Sequence, residues 1–415
     1  MSALENPSSD KYILVADSAT WMSVHKGWVF SEAARRLGYK TIRVAPDARL
    51  SWQEDVFILD PLISELVLTE KLKKYRNQIS FILPTFDYAS TLLAPVAQTL
   101  GTSFLSVASA RHLGTKASLA KYLETNCLGT PRTWLVDGTT TFADIPDGIP
   151  LVIKANVSTG TLKKHDWDYK VFYDKKALLE YLTETQQLQA LIVNNQQNER
   201  YQSVIQEYLE AEKFLDVHVV FAKSGIFKVF LVGEFFTHPN ELLIVESKTS
   251  QNLTEDTKKQ IETFASFFSR NGCEYMVANL QFAVCNGALH LFDLNLRVAG
   301  IWSYLHKIMM PDFAHHVLSF FHGENVAFTP AAPFYLKTPY YLENGRTIES
   351  FVAPKVQDSS VLLAYLDHLV PGYKVPRSQN SIQPSPQIFV VGKDEQDCRT
   401  KIQEILKNTV VRYRS

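Results

Sequence analysis

The sequence predicts an α/β protein whose N-terminal part is built around a parallel sheet. An apolar strand over residues 12–16 precedes a helical spacing over residues 27–37, which ends at Gly38, and a second strand over residues 41–45. A later strand over residues 79–83 stops at Pro84. This β-α-β order implies parallel strands joined by right-handed crossovers.

The turn after the first strand argues against a dinucleotide-binding Rossmann domain, although the fold is similar. Residues 17–23 contain no glycine, whereas the dinucleotide fingerprint needs three at fixed spacing. Asp87 follows the strand at residues 79–83, and the carboxyl ends of parallel strands are where such sheets bind ligands. A helix N-cap explains Asp87 at least as well, so both interpretations stay open.

Length and composition indicate a globular protein of two or three domains. The 415 residues are 46% hydrophobic and 20% charged, which allows a sizeable core. A net charge of −1, with lysine and arginine scattered, gives no nucleic-acid footprint. Apolar runs all fall short of membrane-spanning length. The four cysteines are widely spaced and form no metal or redox motif, which favours a reducing, cytoplasmic compartment.

The most informative segment is a polar pattern near the end of the second third of the chain. Asp293, Asn295 and Arg297 stand two apart in an apolar run, so that on a strand all three point to one face. Two oxygen ligands and a permanent cation suit a divalent metal and a phosphate. Asn286-Gly287, just upstream, is a hairpin signal.

The turn of this hairpin decides whether Gln281 joins the polar face. A two-residue turn pairs Gln281 with Phe292 and sends its amide to the opposite face. A three-residue loop over residues 286–288, with Gly287 at positive φ, pairs it with Asp293 instead, and we predict this loop. The same register collects four apolar side chains on the other face: Leu280, Phe282, Leu294 and Leu296.

The hairpin resembles the metal-binding hairpin of the ATP-grasp superfamily, in particular of its biotin carboxylase and carbamoyl phosphate synthetase branch. There the first strand carries Glu or Gln and the second reads Glu-x-Asn-x-Arg, where this chain has Gln281 and then Asp293, Asn295 and Arg297. The resemblance implies that Gln281, Asp293 and Asn295 hold Mg²⁺, with Mn²⁺ as an alternative. With one full negative charge where two are common, the metal would lean more on nucleotide phosphates and water.

Two lysines match positions that bind the phosphates of ATP in the same family. Lys116 lies at the start of an amphipathic helix over residues 114–124, where the family has a lysine for the α-phosphate. Only its order along the chain favours Lys116 over Lys121. Lys154 closes an apolar strand, and the family places a lysine there against the α- and β-phosphates.

Two further segments match the parts of the family that enclose the nucleotide. A flexible glycine-rich loop follows the second lysine in the family, and here Ser158, Thr159 and Gly160 must serve through hydroxyls and backbone amides. The hinge that holds the adenosine corresponds to residues 206–212. The resemblance assigns four residues to it: Gln206 and Glu207 flanking the adenine, Leu209 offering its backbone N–H, and Glu212 on the ribose hydroxyls.

The resemblance also implies how the chain is divided. We expect a Rossmann-like pre-ATP-grasp domain over residues 11–113, followed by an ATP-grasp fold of two α+β subdomains over residues 114–204 and 205–325. A small α/β extension over residues 326–415 then packs on the ATP-grasp domain. Within it, the proline-rich stretch over residues 325–338 is predicted to be a connection. His306, His315 and His316 have no companion ligands in the sequence and are interpreted as packed or surface residues.

The activity implied is that of an ATP-dependent ligase joining a small-molecule carboxylate to an amine. The carboxylate attacks the γ-phosphate, giving an acyl phosphate and ADP, and an amine, or less often a thiol, displaces phosphate. Arg297 is expected to stabilise the transferring phosphoryl group and the tetrahedral adduct. The single carboxylate of the hairpin and the glycine-poor loop leave a non-catalytic nucleotide-binding module as an alternative. A bicarbonate-using carboxylase-type enzyme is a further one, and a homodimer is compatible with the resemblance.

Overall fold

The structure is a computed structural model that describes most residues of the chain, and the helices and strands named here lie among them. They are residues 11–17, 21–45, 56–58, 65–135, 142–156, 170–184, 202–237, 244–339, 342–343, 345–364, 366, 369–375 and 386–414. The predicted phosphate loop, with Ser158, Thr159 and Gly160, lies outside them.

The N-terminal sheet is parallel, as predicted. Its four strands lie in the order β3-β2-β1-β4, where the strands are β1 (Tyr12–Ala16), β2 (Lys40–Ala45), β3 (Val56–Ile58) and β4 (Ile79–Pro84). Four helices accompany this part of the chain: α1 (Trp21–Arg36), α2 (Glu65–Leu72), α3 (Asp87–Leu100) and α4 (Val107–Leu113). The first helix begins at Trp21, six residues before the predicted position, and Gly27 lies inside it. A Cβ at Gly27 would clash with the Asp17 carboxylate, so the glycine lets the helix approach the end of β1.

A second, smaller sheet is antiparallel and has its own core. Its order is β5-β8-β6-β7, from the strands β5 (Thr133–Leu135), β6 (Leu151–Ala155), β7 (Val171–Phe172) and β8 (Ser203–Glu207). The helices α5 (Lys116–Thr125) and α6 (Lys175–Glu184) belong to the same stretch of chain. Ile153, Leu178 and Ile205 are among the buried side chains that pack together on this sheet.

The third sheet has eight antiparallel strands and unites the middle and the end of the chain. Its order is β13-β12-β9-β10-β11-β14-β17-β16. The strands are β9 (Lys213–Phe221), β10 (Phe227–Thr237), β11 (Ile244–Thr249), β12 (Met276–Cys285), β13 (Ala288–Asn295), β14 (Phe334–Pro339), β16 (Val361–Ala364) and β17 (Gln387–Gly392). A separate pair is formed by β15 (Ile348–Val352) and β18 (Val410–Tyr413). The helices are α7 (Glu255–Arg270), α8 (Trp302–Ile308), α9 (Phe313–Phe321) and α10 (Glu395–Lys407).

The proline-rich stretch near residue 330 is a connection only in its first half. The prediction for residues 334–338 is wrong, because they form β14, which joins the C-terminal strands to the large sheet. Pro333 precedes this strand and Pro339 is its last residue. The two prolines therefore flank the strand at positions where the lost N–H groups do least harm to the ladder.

Both faces of the large sheet contribute to hydrophobic cores, and one of them also carries the polar residues. Val217 of β9 and Leu280 of β12 pack with Phe264 of α7 in a core that also reaches the N-terminal domain. The predicted apolar face is confirmed: Leu280, Phe282 and Leu296 belong to this core, and Leu294 packs against it. The opposite face carries the polar side chains near the hairpin, and further along β9 and β12 Val220 and Val277 join a second core with Trp302. Within the described ranges, no helix is long and apolar enough to cross a membrane.

Candidate active site

The hairpin β12–β13 pairs Gln281 with Asp293, as predicted, but by a different route. The predicted three-residue loop is wrong, because Cys285 pairs with Ala288 and leaves a two-residue turn. Both turn residues, Asn286 and Gly287, have positive φ, at 50° and 74°, as a mirror-image type I′ turn requires. A β-bulge between Gln281 and Phe282 then shifts the register by the one residue that the turn does not supply.

Six polar side chains form two rows across three adjacent strands. Residues that pair directly in a sheet point to the same face. One row consists of Asp216, Gln281 and Asp293, and the other of His218, Asn279 and Asn295. The polar face therefore extends from the hairpin onto β9, one strand further than the sequence analysis placed it.

Asp216 is the site residue that the sequence analysis missed. Its Oδ1 accepts hydrogen bonds from Nδ2 of Asn279 at 2.7 Å and from Nε2 of Gln281 at 3.3 Å, and its Oδ2 lies 3.1 Å from Nε2 of His218. Burial disfavours the charged form, but these partners outweigh it, with His218 foremost, and lower the pKa of Asp216 to about 2. A signal existed, since Asp216 and His218 stand two apart in an apolar strand.

His218 is held in one orientation by its second ring nitrogen. The indole N–H of Trp302 donates to Nδ1 of His218 at 3.2 Å, so this nitrogen is the acceptor. In the neutral imidazole the proton then lies on Nε2, on the side of Asp216. Asp216 is thereby a fixed anion within the polar face.

Lys116 lies against the hairpin, at the predicted start of α5. Its Nζ is 2.9 Å from Oδ1 of Asp293, and both side chains are largely buried. Thr115 caps the helix by accepting from the N–H of Ser118, and the Lys116 N–H donates to the carbonyl of Asn156. Although burial raises it, the pKa of Asp293 is lowered overall by Lys116 and, after it, by other nearby cations. Lys121, one helical turn further, is exposed.

Lys154 is the most deeply buried cation of the site. It is 3% exposed, its Nζ donates to Oε1 of Gln206 at 2.7 Å, and it lies 4.6 Å from the ring centroid of Phe292. Burial lowers the pKa of Lys154 to about 7; Asp293 opposes this shift and Lys116 adds to it. The negative charges of a polyphosphate beside this side chain would raise its pKa again and keep the amine protonated.

The predicted adenosine hinge lies at the end of β8 and beyond it. Gln206 is buried between Lys154 and Thr133, whose hydroxyl accepts from Nε2 of Gln206 at 3.1 Å. Glu207 forms a two-pronged ion pair with Arg132, with distances of 2.9 and 3.1 Å. Its carboxylate is therefore engaged with Arg132, the residue just before β5.

The last two hinge residues have the freedom that the prediction requires. The N–H of Leu209 has no hydrogen-bond acceptor among the residues that the structure describes. Glu212 is exposed, and its backbone N–H donates to the carbonyl of Val284 at 2.9 Å. Its carboxylate therefore lies at the surface beside the hairpin.

Arg297 connects the polar face to the N-terminal domain. Its Nε lies 2.8 Å from Oδ1 of Asp87, and one Nη donates to Oδ1 of Asn295 at 3.2 Å. Phe86 is the N-cap of α3 and Asp87 is the first helical residue, so the N-cap interpretation of Asp87 is wrong. Asp87 instead stands at the carboxyl end of β4, and its carboxylate holds the guanidinium.

The donor set of the hairpin suits a hard divalent cation when a nucleotide supplies further oxygens. Asp293 offers a carboxylate and Asn295 an amide oxygen, while Gln281 bonds through its nitrogen and keeps its oxygen for another partner. Within the described residues, no group of three or more His, Cys, Asp or Glu side chains is placed to hold a metal. Mg²⁺, which takes few protein ligands and retains waters, matches this sparse oxygen set.

The helix histidines do not join this set. His306 is buried, and its Nδ1 lies 2.5 Å from the carbonyl oxygen of Trp302 within the same helix. Its ring stands edge-on to that of His25, with the centroids 5.5 Å apart. His306 is therefore a packed residue, as the sequence analysis interpreted it.

Comparison with solved structures identifies the fold. An L-amino acid ligase from Bacillus licheniformis matches with a TM-score of 0.71 and 15% identity over 98% of this chain and 99% of that one. A phosphoribosylglycinamide synthetase from Anaerococcus prevotii matches with a TM-score of 0.66 and 15% identity, covering 97% and 100% of the two chains. The biotin carboxylase domain of a 2-oxoglutarate carboxylase from Hydrogenobacter thermophilus, in complex with MgADP, ADP and bicarbonate, gives 0.64 and 13%, covering 97% and 91%.

These proteins are ATP-grasp ligases, and this chain has the ATP-grasp fold along nearly its whole length. The predicted fold class is thereby confirmed. No family model matches the sequence, and the search of curated proteins finds no match either. The likeness therefore lies in the structure and not in overall sequence identity.

Proposed function

We propose that this ATP-grasp chain is an ATP-dependent ligase that joins a carboxylate to an amine through an acyl phosphate. The observation that carries the proposal is the meeting of three cations with the oxygen donors of one hairpin. Lys116 contacts Asp293, Arg297 contacts Asn295, and Lys154 lies close enough to Asp293 to change its pKa. A site with this balance suits a polyphosphate and an anion that attacks it.

The nucleotide would lie between the small sheet and the hairpin. Lys154 and Lys116 would neutralise the α- and β-phosphates, and Lys116 would exchange its contact with Asp293 for one with phosphate. Gln206, Glu207 and the N–H of Leu209 would surround the adenine, with Glu212 on the ribose. Gln281, Asp293 and Asn295 would hold Mg²⁺, which supplies charge neutralisation at the β- and γ-phosphates when bound.

Arg297 would act at the transferring group. A carboxylate oxygen of the acid attacks the γ-phosphorus, the bond from that phosphorus to the β-γ bridging oxygen breaks, and ADP leaves with its charge. The amine then attacks the acyl carbon, the bond from that carbon to the phosphate oxygen breaks, and the phosphate leaves while the nitrogen releases a proton. The planar guanidinium can hold two oxygens of the phosphoryl group or of the tetrahedral adduct, while Asp87 fixes its orientation.

The experiment is a measurement of ADP release on adding acids and amines in pairs. Hydroxylamine in place of the amine should trap the acyl phosphate as a hydroxamate that depends on ATP and on the acid. A nucleotide-binding module would bind ADP and give neither product. Bicarbonate serves as one of the acids, and product formation with bicarbonate alone among them would indicate a carboxylase-type enzyme instead.

A further inference from the structure

A second polar cluster lies on the C-terminal strands of the large sheet. Ser247 of β11 pairs directly with Lys337 of β14, so their side chains share a face of the sheet. Tyr335 stands two residues before Lys337 on the same strand and shares that face. The cluster consists of Ser247, Tyr335 and Lys337.

This cluster lies on the same face as the polar rows of the hairpin. Gly233 of β10 pairs with Asp216 on one side and with Thr249 on the other. Thr249 is two residues from Ser247, and its hydroxyl accepts from the N–H of Tyr335 at 3.0 Å. The face that begins at Asp293 therefore continues across β10 and β11 to the cluster.

Gly233 lies between the polar rows and the cluster and makes room for the Tyr335 hydroxyl. A Cβ at this position would clash with the Tyr335 hydroxyl. The hydroxyl therefore lies over the backbone of β10, on the face of the sheet that also carries the Asp216 side chain. Burial, with a contribution from the charge of Asp216, raises the pKa of Tyr335, and the same charge acts on Lys337 against the effect of burial.

The polar atoms of the cluster have few partners. Tyr335 and Ser247 are 0% and 4% exposed, and their hydroxyls lie near each other, but within the described residues neither makes a hydrogen bond of good geometry. Lys337 is partly buried. Among the described residues, no carboxylate lies within ion-pair distance of its ammonium group. Its burial lowers the pKa of Lys337 to about 8, with Asp216 opposing. Buried polar atoms without partners are rare and indicate a missing ligand or water.

We propose that Lys337, Tyr335 and Ser247 bind a carboxylate of the substrates other than the one that is phosphorylated. This inference rests on the proposed ligase function and names a property of its substrates. The cluster lies on β11 and β14 and not on the hairpin strands that lead to Arg297, so the bound group is distinct from the carboxylate that is phosphorylated. It belongs either to an amino acid that supplies the amine or to the far end of a dicarboxylic acid.

The test compares carboxylates with their amides on protein saturated with MgADP. The probes are the standard L-amino acids with their α-carboxamides, and the linear dicarboxylates from malonate to glutarate with their monoamides, titrated by calorimetry. Lys337→Met should weaken the binding of at least one carboxylate tenfold or more and leave the affinity for its amide unchanged. If that carboxylate is an amino acid, the cluster binds the substrate that supplies the amine. If it is a dicarboxylate, the cluster binds the acid.

Controls separate this result from a fold defect and from failure of the proposed function. Lys393→Met, at an exposed position just after β17, should bind every probe as the wild type does. Tyr335→Phe, which removes only the hydroxyl, gives an independent measure if Lys337→Met does not fold. The inference is overturned if no carboxylate in the panel depends on Lys337 or Tyr335 while MgADP still binds. Failure of the wild type to bind MgADP would instead overturn the proposed function.

Discussion

Lys154 should take up a proton when the nucleotide binds. Burial, with a contribution from Lys116, holds the pKa of Lys154 at about 7 in the protein alone, against the effect of Asp293. The phosphates of ATP would place several negative charges beside this ammonium and favour its charged form. Nucleotide binding above pH 7 is then coupled to protonation of one buried side chain.

The size of the effect follows from the pKa. At pH 8 a group with a pKa one unit lower is protonated in roughly one molecule in ten, so binding should take up about 0.9 proton. At pH 6 the same group is already about nine-tenths protonated, and the uptake should fall to about 0.1 proton. The association constant for the nucleotide should accordingly fall about tenfold per pH unit above pH 7.

Calorimetry measures this uptake directly. MgADP is titrated at pH 8 in buffers with different enthalpies of ionisation, and the slope of the observed enthalpy against the buffer enthalpy gives the number of protons. Lys154→Met should bind more weakly and show a slope near zero, while Lys121→Met, at an exposed position of α5, should keep the wild-type slope. A slope near zero for the wild type at pH 8 would refute the assignment of Lys154 to the phosphates.

Three further predictions concern the remaining residues of the site. Asp293→Asn and Asn295→Ala should each lower Mg²⁺-dependent turnover by orders of magnitude with the fold intact, and near-normal rates at saturating Mg²⁺ would contradict the metal assignment. Lys116→Ala should raise the KM for ATP or lower kcat, whereas Lys121→Ala should change neither; steady-state kinetics would reveal the reverse ranking. Arg297→Lys should bind ATP and lose single-turnover ADP formation, because an ammonium lacks the planar fork, and Asp87→Asn should lower kcat with little change in the KM for ATP. Wild-type rates in Arg297→Lys would leave Arg297 as a structural ion-pair partner of Asp87.

The sequence predicted the hairpin pairing because alternation is a local property. The spacing of Asp293 and Asn295 alone indicates one face of a strand, and Asn286-Gly287 indicates a turn. A three-residue loop and a two-residue turn with a bulge give the same partner for Gln281. The periodicity could not distinguish them, because both place one extra residue between Gln281 and Asp293 and so leave the same side chains on the same faces.

The rest of the site depends on contacts between distant parts of the chain. Asp87 and Arg297 are far apart in sequence and meet only because the end of β4 faces the hairpin. Lys337 lay in a stretch where the prolines suggested a connection, and only the pairing of β14 with β11 places it beside Ser247. Residue type and spacing carry no information about such pairings, which is why the contact between Asp87 and Arg297 and the position of Lys337 could not be predicted from the sequence.

Asp216 determines which atom of Gln281 is presented to a cation. The Asp216 carboxylate accepts from Nε2 of Gln281, which would leave the amide oxygen of Gln281 for the proposed metal, and Asn279 donates to the same Oδ1 of Asp216. Asp216→Asn should remove this preference, since an asparagine can donate as well as accept, and the amides would then lose their fixed orientation. Loss of such an outer contact typically costs 10–100-fold in metal affinity.

Electron paramagnetic resonance of Mn²⁺ with ADP present should therefore show weaker Mn²⁺ binding by Asp216→Asn. The affinity should be unchanged for Asp256→Asn, which alters a carboxylate at an exposed position of α7. Equal Mn²⁺ affinity in the wild type and Asp216→Asn would mean that Asp216 serves the packing of β9 and not the metal.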